Sequence, residues 1–151
     1  MYAGWWQRVG AVVIDGLILI LFFMPALVAL VLGPSETDPC RVNDEITSCT
    51  VPTSGTIGAA AVLCVAGLIA HLVVYCRRVG TKGQSWGMGA AGYGIVDERT
   101  GDVIGTGRAV GRYFARILSA LPCSLGFLWP LWDSENRTFH DMIVRTRAVC
   151  S

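Results

Sequence analysis

The chain has 151 residues, 53% of them hydrophobic and only 15% charged, with a formal net charge of +1. Its mean hydropathy is +0.54. So few charges exclude an ordinary soluble domain of this size and point to one integral membrane domain. The near-neutral balance argues against a nucleic-acid partner, because phosphate binding needs clustered, uncompensated Lys and Arg.

Taken in chain order, residues 9–33 form the first apolar run. It is longer than the roughly 20 residues that cross a hydrocarbon core of about 30 Å. Arg8 stands ahead of it like the charged start of a signal peptide. Asp15 interrupts the apolar core, however, and the run is too long, so no cleaved leader is expected. Residues 56–76 make a second span. The link at 34–55 carries one base, Arg41, against the acids Glu36, Asp38, Asp44 and Glu45. Arg8 precedes the first span, and Arg77, Arg78, Lys82, Arg99 and Arg108 follow the second. The positive-inside rule then places the N terminus in the cytoplasm and the link outside. Cys40 and Cys49 would face an oxidising compartment, and their short spacing predicts a disulfide. Cys64, Cys76, Cys123 and Cys150 are expected as free thiols. With no C-x-x-C and only two histidines, no metal site is expected, and no cofactor is implied.

Residues 77–105 read as a cytoplasmic link and hairpin, with Trp86 and Met88 as apolar anchors. Tyr93 to Val96 and Val103-Ile104 are β-favouring runs joined by a turn through Thr100-Gly101. Gly87, Gly89 and Gly92 have the G-x-G-x-x-G spacing of a dinucleotide loop. No hydrophobic strand leads in and no amphipathic helix opens from it, so nucleotide binding is not expected. Residues 106–132 comprise a helix and an apolar hairpin. Gly107, Gly111, Ala115 and Ser119 recur as a small-residue stripe suited to close helix approach. Arg108, Arg112 and Arg116 recur beside them, placing three guanidinium groups on one face. Snorkelling to lipid phosphates suffices for Arg108; Arg116 is too deep for that. Pro122 and Gly126 are break points. Residues 113–132 therefore form either a kinked third span or a re-entrant hairpin, and the hairpin is favoured. The tail, 133–151, does not decide between them. Trp5, Trp6, Trp129 and Trp132 read as interface anchors, and the sequon Asn136-Arg137-Thr138 as unused in a cytoplasmic tail.

The fold class expected is thus an all-α integral membrane protein: two transmembrane helices, a third broken or re-entrant helical hairpin, and a small cytoplasmic β-hairpin. Arg8-x6-Asp15 on the first helix, the arginine-bearing third helix and Thr138-Phe139-His140-Asp141 near the C terminus together resemble the RDD family of bacterial membrane proteins. The family is named for one arginine and two aspartates. Asp141, followed by Arg145-Thr146-Arg147-Ala148-Val149, is similar to the family's second aspartate and short terminal strand. Gly83-Gln84-Ser85-Trp86-Gly87 through Ile95-Val96-Asp97 looks like its glycine-containing link and hairpin. Two positions depart from the pattern: Met88 stands where the family commonly has a basic residue, and Arg145-Thr146 where it has Gly-Thr. The resemblance implies a plasma-membrane protein, with transport of ions or small solutes proposed for some members and others serving as domains of larger membrane proteins.

Arg8 and Asp15 lie within about 20° of one helix face but roughly 10 Å apart along the axis. Asp15, near the midplane, therefore needs a partner from another helix. Arg112 or Arg116 is the first choice and His71 the second, leaving Arg8 to meet Asp141. Interlocking Arg and Asp pairs pin helices together where lipid supplies no hydrophobic drive. An intramembrane carboxylate as a proton or cation site is the alternative. His140 is expected to orient by hydrogen bonding, since no nucleophile motif accompanies it, and no enzyme activity is expected. Two functions follow. One is an accessory or scaffold subunit docking into a larger membrane complex or oligomer, with lipid, other subunits or its own copies as partners. The other is an oligomeric transporter of cations or small solutes using Asp15.

Overall fold

The computed structural model describes residues 1–42, 45–120 and 128–150. The chain begins with a long helix, α1 (Trp5–Leu32), followed by a two-stranded ribbon, β1 (Ser35–Val42) and β2 (Glu45–Pro52). A second long helix, α2 (Ser54–Lys82), leads to a single short helix, α3 (Trp86–Ala90), and a strand, β3 (Tyr93–Asp97). An amphipathic helix, α4 (Gly105–Ala120), a 3-10 turn at Trp129–Leu131, a short helix, α5 (Phe139–Val144), and β4 (Thr146–Cys150) complete the described residues. At 1.5 Å per residue, α1 and α2 are about 42 and 44 Å long, more than a hydrocarbon core needs. Both are long and apolar enough to cross a membrane. They outrun the expected spans because helix formation continues through Trp5–Arg8 at one end and Arg77–Lys82 at the other.

Contacts divide the chain into two units, Leu19–His71 and Met1–Ile18 with Leu72–Ser151. In the first, the link expected as a loop is an antiparallel ribbon, in register from Ser35 opposite Pro52 to Val42 opposite Glu45. Thr37, Ile46, Thr47, Thr50 and Val51 supply the branched side chains that favour extended backbone. Cys40 and Cys49 are joined across it, with Cα atoms 5.8 Å apart. The Thr56 hydroxyl donates to the Pro34 carbonyl at 2.7 Å. Thr53 Oγ1 accepts from the Thr56 amide at 3.3 Å, capping α2. Gly67 allows the helices to touch, since a Cβ there would overlap the Phe22 carbonyl.

The second unit holds the core, built on Ala11, Tyr75, Cys76, Val79, Met88, Ile95 and Ala148. Its sheet corrects the expected hairpin: β3 pairs antiparallel with β4, from Tyr93 opposite Cys150 to Asp97 opposite Thr146. Val103 and Ile104 form no strand. Asp97 closes the turn by accepting from the amides of Arg99 and Thr100, at 2.7 and 3.1 Å. Gly105, at φ +77°, then swings the chain into α4, leaving too few residues for a ladder. The fold is therefore mostly helical with two small sheets, not all-α. The Ala3 amide donates to the Ala148 carbonyl at 3.0 Å, seating the chain's start against β4. Within α4, Ala115 and Ser119 are buried, whereas Gly107 and Gly111 face open space. The small-residue stripe therefore does not pack as one face. The break expected at Pro122 and Gly126, the side of the membrane it implies, and Cys123 lie outside the described residues.

Candidate functional site: a buried arginine and aspartate network

Arg8, Ala11 and Asp15 are buried at helical spacing on one face of α1. Asp15 does not meet an arginine directly. Its carboxylate accepts from the Ser85 hydroxyl at 2.6 Å and from the Gly87 amide at 2.8 Å. Ser85 is the N-cap of α3, and its hydroxyl oxygen also accepts from the Met88 amide at 3.1 Å. Asp15 thus sits where free amides gather at a helix start, a favourable place for a negative charge. Gly87 is required there. A Cβ on it would overlap the Ala11 carbonyl oxygen and lie 2.9 Å from the Asp15 carboxyl carbon. The expectation that Arg112, Arg116 or His71 would be the direct partner is corrected, because the link between α2 and β3 brings the Ser85 hydroxyl and the Gly87 amide to the carboxylate. Of the three glycines in the G-x-G-x-x-G spacing, Gly87 makes this close approach, whereas a Cβ on Gly92 would meet nothing within 4 Å.

Arg112 instead meets Asp141, forming an ion pair to Oδ1. Arg8 Nη1 reaches Oδ2 of the same carboxylate at 2.6 Å. Arg8 Nη2 donates to the Asn136 carbonyl at 2.6 Å, so one side chain ties α1 to the approach of α5. Asp141 is fully buried and held by its own helix as well. Its carboxylate accepts from the Thr138 amide at 3.2 Å while Thr138 Oγ1 accepts from the Asp141 amide at 3.3 Å, a capping box. Burial alone would raise the Asp141 pKa, but Arg112 and Arg8 outweigh it and hold the carboxyl well below the usual carboxylate range.

His140 Nδ1 stands 3.2 Å from the Ser119 hydroxyl and Nε2 is 4.0 Å from Asp141. Burial, then the positive charge of Arg112, pushes its pKa well below the ordinary value and keeps the ring neutral. Arg116 donates to the Tyr75 hydroxyl at 2.9 Å and lies over that ring, 5.8 Å from its centroid. Burial drives the nearby Tyr93 hydroxyl up to about 12. His71 belongs to the other unit, where its ring packs edge-on against Phe22 with centroids 5.4 Å apart. Arg108 is not free to snorkel: it pairs with Asp97 and donates to the carbonyls of Val144 and Arg145 at 2.7 and 2.8 Å, closing the C-terminal end of α5.

Asp15, Arg8 and Arg112 also border a cavity of about 240 Å³. Among the described residues no cluster of His, Cys, Asp and Glu suits a metal. Reading the sequence missed Ser85, Gly87, Thr138 and Asn136. Thr138 with the acid Asp141 three residues on has the spacing of a capping box and would have identified the third.

The proline-rich antigen homolog of Mycobacterium tuberculosis (strain CDC 1551 / Oshkosh) is 42% identical over 84 residues, 55% of this chain and 35% of that protein. The proline-rich antigen of Mycobacterium leprae (strain TN) is 34% identical over 155 residues, 99% of this chain and 60% of that protein. Protein YxaI of Bacillus subtilis (strain 168) is 30% identical over 158 residues, 97% of this chain and 96% of that protein. This chain therefore spans 35% and 60% of the two mycobacterial relatives. No solved structure matches. The profile of the RDD family matches residues 2–145, taking in Arg8, Asp15 and Asp141, and the chain belongs to the RDD family.

Proposed function

We propose that this chain is a multi-pass protein of the bacterial plasma membrane, its N terminus cytoplasmic, acting as an accessory or scaffold subunit of a larger membrane complex or oligomer. One observation carries the reading: both buried carboxylates are engaged by groups of the same unit. Asp15 takes Ser85 and Gly87, and Asp141 takes two guanidinium groups and its own helix start. Charges held this way fix elements to one another and leave lipid or partner contact to the exposed apolar faces of α1 and α2. The open face at Gly107 and Gly111 offers a place for a second helix to approach closely. Alignment of this chain with part of a longer mycobacterial protein agrees with a module that serves a larger assembly.

A second reading, an oligomeric transporter of cations or small solutes, draws on the position of Asp15 at a cavity wall. Gentle detergent extraction followed by mass measurement separates the two. The accessory reading expects a stable heteromeric assembly. A lone homo-oligomer whose ion flux in liposomes disappears with Asp15→Asn would overturn it.

A further inference from the structure

The network leaves one feature unabsorbed. Arg112 is 4% exposed, and while Nη2 serves Asp141, its Nε and Nη1 are buried with no hydrogen-bond partner among the described residues. Buried guanidinium donors are costly to leave unmet. Arg112 borders the cavity of about 240 Å³, and Arg8 and Arg116 border it too. Against these three arginines stand the carboxylates of Asp15 at the wall and Asp141 behind it, so the formal balance is one positive charge. Both Asp15 oxygens are already bonded to Ser85 and Gly87.

The rest of the wall is mostly apolar and includes Val9, Val12 and Val13 of α1. Val12 and Val13 are 46% and 57% exposed, so the cavity reaches the outer surface of a helix long and apolar enough to span a membrane. Its volume falls short of the roughly 300 to 1,000 Å³ of sites that enclose a drug-sized ligand. The size suits a headgroup, with the remainder of the molecule outside.

We propose that this cavity binds the phosphodiester headgroup of an anionic phospholipid, its oxygens accepting from Arg116 and, once that side chain turns toward the cavity, from the unmet donors of Arg112, while an acyl chain lies along Val9, Val12 and Val13. A phosphodiester carries one negative charge and matches the single excess positive charge. Guanidinium donors suit phosphate oxygens, and the apolar wall explains why the ligand is an amphiphile. The inference rests on the membrane reading of α1 and is independent of the accessory role.

The test uses the full chain, delipidated in mild detergent and titrated with phosphatidylglycerol under native mass spectrometry. Phosphatidylcholine, glycerol 3-phosphate and oleate serve as comparisons. One phosphatidylglycerol per chain should bind at least about fivefold more tightly than phosphatidylcholine, which has the same phosphodiester but adds a choline cation, the scale of one unit-charge repulsion at about 4 Å in water. Arg116→Gln should weaken it about tenfold, the scale of one lost charge-assisted hydrogen bond. Val12→Trp, which fills the mouth without touching a charge, should weaken it while leaving the thermal midpoint in place. Equal binding of the two phospholipids, or unchanged binding in both variants, overturns the proposal. Glycerol 3-phosphate binding as tightly as the lipid, or oleate displacing it at equal concentration, overturns the lipid assignment.

Discussion

Asp141→Asn tests the network at its most connected point. The asparagine keeps the shape of the side chain but removes the negative charge that Arg8 and Arg112 share. Its amide nitrogen, a donor, must also face a guanidinium that only donates. Both arginines are at least nine-tenths buried, at 8% and 4% exposure, so water does not replace the lost partner. Breaking a buried ion pair by removing one member costs about 3 to 5 kcal/mol, a large share of the roughly 5 to 15 kcal/mol that holds a domain together. At about 2 to 4 °C per kcal/mol for a chain of this length, the thermal midpoint should fall by about 6 to 20 °C. Heating the detergent-solubilised protein and following tryptophan fluorescence reads this. Pairing the substitution with Arg8→Gln should cost less than the sum of the two single changes, because the second change relieves a charge the first left unmatched. A single variant melting within about 2 °C of the parent, or strictly additive losses, would show that the network does not stabilise the fold.

Gly87→Ala should destabilise by about 1 to 3 kcal/mol, because its Cβ would push against both the Ala11 carbonyl and the Asp15 carboxyl; an unchanged melting curve would refute the contact. Arg145 sits at φ 53° and ψ 58° as the C-cap of α5, so Arg145→Gly should stabilise by about 1 kcal/mol by removing a left-handed side chain; a loss would mean that the Arg145 side chain holds the turn. His140 has a folded pKa well below its ordinary 6.5, through burial and then Arg112. Its contribution is therefore complete above about pH 6.5 and is lost as pH falls, because only the unfolded chain takes up the proton, at about 1.4 kcal/mol per pH unit. His140→Gln should flatten the dependence of the melting point between pH 6.5 and 5; an equal slope in both proteins would contradict it.

Much of the site was legible because charge in an apolar sequence is conspicuous. Arg8, Asp15 and Asp141 stand out, and the compartment argument pointed to Cys40 and Cys49. The partners of Asp15 were hidden for a physical reason: half of them are backbone. Gly87 contributes an amide and an absent side chain, and neither has a sequence signature beyond a glycine among 18. β3 and β4 lie about 50 residues apart and pair because Ile95 and Ala148 share the core, a long-range choice that a nearby turn signal obscured. At the departure Arg145-Thr146, the structure shows why a glycine would suit the first position. The position needs a left-handed residue, which is what a glycine would supply without strain.

How Asp15 is held decides what a cation would have to do to reach it. Inserting an ionised aspartate at a helix centre costs about 2.5 to 3.5 kcal/mol. Two hydrogen bonds to a charged acceptor return about 1.5 to 3 kcal/mol each, and the partial positive charge of a helix start adds up to about 1 kcal/mol. These terms offset much of that cost, and Arg116 at the same cavity adds an electrostatic attraction. A cation at Asp15 either shares the carboxylate, whose oxygens each keep a free lone pair, or displaces the Ser85 hydroxyl or the Gly87 amide. Ser85 caps α3 by accepting from the Met88 amide while it donates to Asp15, so an ion that moved the hydroxyl would loosen that cap as well. An ion that displaced Ser85 would disturb the link ahead of β3, whereas one that shared the carboxylate would leave it in place.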